Sequence, residues 1–133
     1  MIRQKAASYA LLAVCEIARR QRNDGPDQGI QVRDIARKHR LPAAYAAKLL
    51  SLLAKAGVLR SDRGPNGGFR LNRPVDKITV YDLLDAAGAL TVGGGDPAPE
   101  LPGALESILN QARQEGARGV KEVLRRSTIA DLV

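Results

Sequence analysis

Residues 63 to 71 read Arg63-Gly64-Pro65-Asn66-Gly67-Gly68-Phe69-Arg70-Leu71, and this segment constrains the architecture more than any other part of the chain. Short apolar runs, Val58-Leu59-Arg60 and Phe69-Arg70-Leu71, lie on either side of the glycine-rich part and are typical of paired strands. Gly, Pro and Asn permit sharp reversal of the backbone. The pattern predicts a β-hairpin whose long tip presents Arg63 without bulky neighbours.

Three helical segments are predicted before the hairpin. Residues 2 to 20 lack Gly and Pro and place apolar side chains at spacings of three and four. A short second helix over Val32 to Lys38 and a third over Pro42 to Ala56 meet at a tight turn, because Pro favours the first helical position. Gly57 is predicted to end the third helix in the left-handed conformation. Helix, short turn, helix and hairpin together indicate a winged helix-turn-helix fold.

The segment after the hairpin predicts a helical tail. Thr79 and Asp82 resemble a capping box at the start of a helix over Val80 to Ala87, and Ser127-Thr128 with Asp131 has the pattern of a cap for a final turn. A Gly/Pro-rich loop over 88–102 separates a predicted DNA-binding head, 1–87, from a long helix and tail, 103–133. The predicted fold is mainly α with a small β-hairpin wing.

In a winged helix-turn-helix the second helix of the pair lies in the major groove and the wing reaches phosphates or the adjacent minor groove. The third helix should bury Tyr45, Leu49, Leu52 and Leu53 and present a small outward face. The residues predicted to contact DNA are Lys5, Arg40, Ala44, Tyr45, Lys48, Ser51, Arg60, Arg63, Gly64, Asn66, Gly67 and Arg70. The alternatives are that Tyr45 packs in the core, that Lys48 is merely solvated, and that the hairpin is an ordinary surface loop.

Charge is distributed unevenly along the chain. Residues 1–73 carry 15 Lys and Arg against 5 Asp and Glu, whereas residues 74–133 carry 6 against 9. A net charge of +10 in the first part suits a polyanion such as DNA, although basic residues also serve simply to solubilise helices. The chain shows no secretory leader pattern and no membrane-length apolar run, so a cytoplasmic protein is expected.

The sequence offers no enzymatic motif and no metal set. Phosphate-loop, dinucleotide-binding and zinc-protease patterns are absent, and the single histidine excludes a two-histidine site. Cys15, the one cysteine, is expected to be a buried, inert thiol, with a redox or intersubunit role as the minority view. His39, in the basic run Arg37-Lys38-His39-Arg40, is expected to be solvated or to face phosphate. No cofactor is predicted.

The hairpin segment resembles the R-G-P-x-G-G-[FY]-x-L wing signature of the IscR/NsrR/CymR family of bacterial transcription regulators. Further matches cover nearly the whole chain, among them Tyr9-Ala10-Leu11, Lys55-Ala56-Gly57 and Ala130-Asp131-Leu132. The resemblance implies a homodimer in which the long C-terminal helix crosses its partner. The residues that would then form the intersubunit seam are Leu105, Ile108, Leu109, Ala112, Gly116, Val120, Val123 and Leu124.

Two departures from the family pattern qualify this resemblance. Family members with an iron–sulfur cluster bind it through three cysteines before the long helix, and residues 87–101 contain none here. Cluster sensing is therefore not expected, and any effector is unknown. Ala44, Ala47 and Lys48 replace small-polar and Glu/Gln positions of the family, so the operator should differ from those of better-known members.

These observations together predict a dimeric, sequence-specific DNA-binding transcriptional regulator, most simply a repressor at a pseudo-palindromic operator. The alternative is a winged-helix protein-interaction scaffold without an operator of its own, because fold alone does not determine function.

Overall fold

The computed structural model describes residues 3–25, 27–64, 67–90, 102–114 and 122–133. Its helices and strands are α1 (Gln4–Asp24), α2 (Val32–His39), α3 (Ala43–Lys55), β1 (Leu59–Asp62), β2 (Gly68–Leu71), α4 (Val80–Ala86) and α5 (Gly103–Gln114). Single 310 turns lie at Val75–Lys77 and Ile129–Asp131, and residues 122–126 are also helical. The predicted mainly helical fold with a two-stranded hairpin is confirmed.

The first helix is the central element of the core. Its residues from Ala6 to Ala18 are buried, with the exception of the half-buried Tyr9. It continues beyond the predicted end at residue 20 to Asp24, and stops where Gly25 takes a φ of 106° and donates its N–H to the Gln21 carbonyl at 3.0 Å. The helix therefore ends at the first residue that is free to leave helical geometry.

The second and third helices pack against α1 through short apolar faces. Ile35 and Ala36 of α2 are buried, and so are four residues of α3, namely Ala46, Leu49, Leu50 and Leu53. Arg40 joins the two helices in the left-handed conformation, with a φ of 55°. Leu41 then donates its N–H to the Ala36 carbonyl at 2.9 Å and buries its side chain. This turn fixes where α3 begins on the surface of the head.

The hairpin pairs Leu59 with Leu71 and Asp62 with Gly68 in antiparallel register. A third segment joins it, since Ile30 and Phe69 exchange two backbone hydrogen bonds of 3.0 and 2.9 Å. Gly68 has a φ of 120°, and a Cβ at this position would lie 2.5 Å from the Ile30 carbonyl oxygen. Only glycine lets the wing pair so closely with the segment that leads into α2.

The end of the chain returns to the head. Val80 donates its N–H to the Ser127 carbonyl at 2.8 Å, and Ile129 donates to the Ile78 carbonyl at 2.9 Å. Both predicted caps are present, because Thr79 with Asp82 and Thr128 with Asp131 form capping boxes. The tail is thereby tied to the residues at the start of α4.

The predicted continuous helix over 103–126 is observed in two parts, 103–114 and 122–126, and residues 115–121 lie outside the described residues. Leu105, Leu109, Val123 and Leu124 are buried in one hydrophobic cluster with α1 and α4 of the same chain. Among the helices that the structure describes, none is both long enough and apolar enough to cross a membrane.

Candidate nucleic-acid interface

The third helix has the predicted outward face. Ala44, Ala47, Lys48 and Ser51 are exposed along one side, while the opposite side packs into the core. Methyl groups and a hydroxyl are small enough to let a helix approach base edges closely, and Lys48 adds a donor. One part of the prediction is wrong: Leu52 is 37% exposed, and Leu50 takes the buried position instead. Leu50 lies nearer the centre of the buried face, and Leu52 lies at its margin.

Tyr45 connects the third helix with the start of α1. Its ring makes an edge-on contact with Tyr9, with centroids 5.2 Å apart and planes at 72°. The ammonium of Lys5 lies 5.5 Å from the centre of the Tyr45 ring. The structure thus brings together the predicted contact residues Lys5 and Tyr45, and it leaves Tyr45 half-buried, between the two alternatives that the sequence left open.

The turn before α3 presents Arg40. Its side chain is exposed, and its left-handed backbone directs the chain into Pro42, whose carbonyl accepts the first hydrogen bond of α3 from the Ala46 N–H at 2.9 Å. A non-glycine residue in this conformation is uncommon and costs about 1–2 kcal/mol. Arg40 therefore lies in the turn directly before α3, the helix that exposes Ala44 and Lys48.

The wing exposes Arg63 at its tip. Arg63 and Gly64 are exposed, Gly64 has a φ of 105°, and the Gly67 N–H closes the turn on the Gly64 carbonyl at 2.9 Å. Asn66, also predicted to contact DNA, lies outside the described residues. Gln31 supports the tip from the other side by donating its amide to the Gly67 carbonyl at 2.7 Å. Gln31 was not among the predicted site residues, because a contact across 36 positions leaves no local pattern.

The other two wing arginines differ in their surroundings. Arg60 keeps 54% of its side chain exposed and lies 3.7 Å from the Asp62 carboxylate. Arg70 is only 16% exposed, donates from Nε to Asp62 Oδ2 at 2.6 Å, and lies 3.6 Å from Asp27. The hydrogen bond lowers the pKa of Asp62 and raises that of Arg70. Arg70 thus holds the hairpin together in the structure, and its predicted contact with phosphate would have to compete with Asp62.

A buried carboxylate beneath the helix-turn-helix was missed by sequence reasoning. The Glu16 side chain is 2% exposed and accepts hydrogen bonds from Arg20 Nε at 2.9 Å and Lys38 Nζ at 2.8 Å. His39 Nε2 lies 3.3 Å from its other oxygen, and the His39 side chain is 16% exposed. The expectation of a solvated or phosphate-facing His39 is therefore wrong, since the ring turns inward to α1.

The surroundings of Glu16 keep its carboxylate ionised. Burial alone would raise its pKa, but hydrogen bonds from Lys38, Arg20 and His39 and the charge of Lys38 together lower the pKa to about 2. The cluster joins α1 to the end of α2, directly before the Arg40 turn. A lone acid in the otherwise apolar stretch Ala13 to Ala18, facing a distant basic run, was the available signal in the sequence.

The predicted seam residues are only partly described. Leu105, Leu109, Val123 and Leu124 are buried within their own chain, and Ile108 packs against the same core. The side chain of Ala112 and the whole of Gly116 and Val120 lie outside the described residues. The role of these residues in an intersubunit seam stays a prediction.

The fold and the sequence both match known proteins. A sequence model of the family described as "Rrf2: Iron-dependent Transcriptional regulator" matches residues 3–133. This chain belongs to the Rrf2 family. The family that the wing signature indicated is thereby confirmed. The family description and the relatives named below are those of transcriptional regulators and not of enzymes.

Relatives in the Rrf2 family match over different lengths. An HTH-type transcriptional regulator of Aquifex aeolicus is 36% identical over 88 residues, which are 66% of this chain and 58% of the relative. The HTH-type transcriptional regulator IscR of Cereibacter sphaeroides is 22% identical over 129 residues, 94% of this chain and 82% of the relative. The solved structure of CymR, the global cysteine regulator of B. subtilis, superposes with a TM-score of 0.67 over 96% of this chain and 92% of that one, at 26% sequence identity.

The residues of this chain do not fit an iron–sulfur cluster held by several cysteines. Cys15 is the single cysteine, and it lies 1% exposed within α1. Burial raises the pKa of its thiol to about 11, against a smaller lowering by Arg19, so the thiolate that a cluster needs is disfavoured. Across the described ranges, no group of three His, Cys, Asp or Glu side chains is placed to hold a metal ion. The expected buried thiol is confirmed.

Proposed function

We propose that this chain is a sequence-specific DNA-binding transcriptional regulator that acts as a homodimer and represses by occupying a promoter. The observation that carries the proposal is the combination of the exposed face of α3 with the exposed Arg63 at a glycine-lined wing tip. Membership of the Rrf2 family supports the same conclusion.

The chemistry of the two elements suits different parts of a duplex. On α3, alanine methyl groups can contact thymine methyls in the major groove, and Lys48 can donate to guanine or phosphate. Arg63 carries a guanidinium on a narrow tip, which suits the negative potential of a narrow minor groove. Because the α3 face offers few hydrogen-bond donors for base edges, minor-groove shape should contribute much of the specificity.

The proposed dimer places two copies of α3 on one face of the duplex, about 34 Å apart, and predicts a pseudo-palindromic operator. We assign dimerisation to the C-terminal residues 103–126. Since Leu105, Leu109, Val123 and Leu124 occupy the core of their own chain, a seam through them would form by exchange of these C-terminal residues between two chains.

An electrophoretic mobility shift assay distinguishes this function from the alternative, a winged-helix protein-interaction scaffold without an operator. The protein is titrated into a labelled fragment of its own upstream region and into a random-sequence fragment of equal length, at two salt concentrations. We expect tighter binding to the upstream fragment and a steep loss of affinity with salt, because phosphate contacts release counterions. Equal affinity for both fragments at each salt would contradict sequence-specific recognition and favour the interaction scaffold.

The oligomeric state has a separate test. Light scattering coupled to size exclusion should give twice the 14.2 kDa mass of one chain for the free protein, and that mass plus the mass of the duplex for its complex with the upstream fragment. A protein mass of one chain in both measurements would contradict the homodimer.

A further inference from the structure

A groove of about 500 Å³ separates the C-terminal half of α3 from the hairpin. It lies next to the outward face of α3 and on the side of the helix that faces the wing. The residues that line it are Ser51, Ala54, Lys55, Leu59, Arg60, Ser61, Phe69 and Asn72. None of the DNA-contact residues predicted from the sequence, other than Ser51 and Arg60, belongs to this groove.

The groove carries positive charge without a carboxylate in its wall. Lys55 and Arg60 contribute two cations, from the last turn of α3 and from β1, and both are exposed. Ser51 and Ser61 add hydroxyl groups on the same two elements. Asp62, whose carboxylate lies 3.7 Å from Arg60, does not line the groove and accepts the shorter hydrogen bond of 2.6 Å from Arg70. Two cations with two hydroxyl donors are a suitable set for the oxygens of a phosphodiester.

The geometry of DNA brings a phosphodiester strand to this place. If α3 lies in the major groove and Arg63 reaches the adjacent minor groove, one sugar–phosphate backbone separates the two elements. That backbone must cross the space between α3 and the hairpin. The groove is open to solvent, as a passing polymer strand requires, whereas pockets for small ligands enclose most of the ligand surface.

We infer that the groove between α3 and the hairpin binds backbone phosphate of the DNA strand that separates the major from the minor groove, through Lys55 and Arg60. This inference rests on the proposed function. It assigns Lys55 and Ser61 to the interface, two residues that the sequence did not single out for DNA binding. It also predicts that their contribution is independent of base sequence, because phosphates are the same at every step.

The test uses the full chain and a labelled random-sequence duplex, so that no operator is needed. The variants are Lys55→Gln and Arg60→Gln, with Lys77→Gln as the matched control. Lys77 is an exposed lysine on the 310 turn that packs toward the C-terminal turn. Binding is measured by fluorescence anisotropy over a series of salt concentrations. Thermal melts check that all four proteins fold alike, as expected for exposed side chains.

The expected result is a shallower dependence of log K on log salt for Lys55→Gln and for Arg60→Gln, by about 0.9 for each lost phosphate contact and each copy bound. The control should keep the slope of the parent. If the salt dependence of Lys55→Gln equals that of the parent, the groove assignment is wrong, although DNA binding itself stands. The groove assignment is also wrong if Lys77→Gln loses as much salt dependence as Lys55→Gln. Failure of the parent to bind any duplex would instead contradict the proposed function.

Discussion

Basic side chains in this molecule have two opposite kinds of surroundings. Beneath the helix-turn-helix, Arg20, Lys38 and His39 converge on the buried Glu16. On the outer surface, Lys48 and Arg63 are exposed, and neither forms an ion pair with any residue that the structure describes. Both groups belong to the first 73 residues, whose excess of positive charge does not by itself distinguish them.

The two kinds of surroundings indicate different roles for the cations around Glu16 and for the exposed cations. Where the chain supplies a carboxylate, the cations fix one helix against another, as α2 is fixed to α1. Where it supplies none, the charge remains available to a polyanion from outside. The inner group should therefore control stability, and the outer group should control DNA affinity.

Glu16→Ala should have the largest effect. Removing one partner of a buried ion pair costs about 3–5 kcal/mol, and because Arg20 and Lys38 still reach solvent we expect the lower end, about 3 kcal/mol of unfolding free energy. Urea denaturation measures it, with Asp85→Ala, an exposed acid on α4, as the control. A loss no greater than that of the control would mean that the buried cluster is not structural.

The pH dependence of the unfolding free energy tests whether the charge of Glu16 is responsible for this stabilisation. Glu16 has a folded pKa of about 2 against an ordinary value of 4.5, so its stabilisation is complete above about pH 4.5 and disappears as the pH falls toward 2. The difference in unfolding free energy between the parent and Glu16→Gln should shrink over this range. The same difference at pH 6 and at pH 2 would show that the charge of Glu16 does not carry the effect.

Arg40→Gly should be more stable than Arg40→Ala and should nevertheless bind DNA more weakly than the parent. Glycine relieves the left-handed backbone at φ 55°, so stability should exceed that of Arg40→Ala by about 1 kcal/mol, which chemical denaturation can resolve. Both variants should bind DNA more weakly than the parent and equally weakly, since both lack the same cation. A glycine variant less stable than the alanine variant would contradict the assignment of strain.

Cys15 should show the smallest response. With its thiol buried and its pKa raised to about 11, the native protein should not react with a thiol-specific reagent at neutral pH until it is unfolded. Absorbance of the released chromophore follows the reaction. Rapid labelling of the folded protein would place the thiol at the surface and reopen a redox role.

Sequence patterns predicted those features that local chemistry determines. The hairpin, the left-handed Gly57, both capping boxes and the small outward face of α3 all follow from neighbouring residues. The inward His39, the pairing of Ile30 with Phe69 and the support of the wing by Gln31 depend on contacts between distant segments. Periodicity shows which face of a helix is buried, but it does not show which distant side chain meets it.

The C-terminal residues illustrate the same limit. Four residues of the apolar stripe, Leu105, Leu109, Val123 and Leu124, are buried against the core of their own chain. The stripe alone does not say whether a second copy also packs against this part of the chain. The outward face of α3 is less ambiguous, because it carries Lys48 and Ser51, which are mostly found exposed, and its residues are exposed in the structure.

The most direct test of the account is the affinity of Arg63→Ala for the upstream DNA fragment, measured beside the parent and Lys77→Ala at one salt concentration. We predict a loss of about 1–3 kcal/mol, a rise in dissociation constant of about 5- to 150-fold, with stability unchanged and the Lys77 control close to the parent. An Arg63→Ala protein that binds as tightly as the parent would contradict the claim that the exposed cations of the outer surface bind DNA.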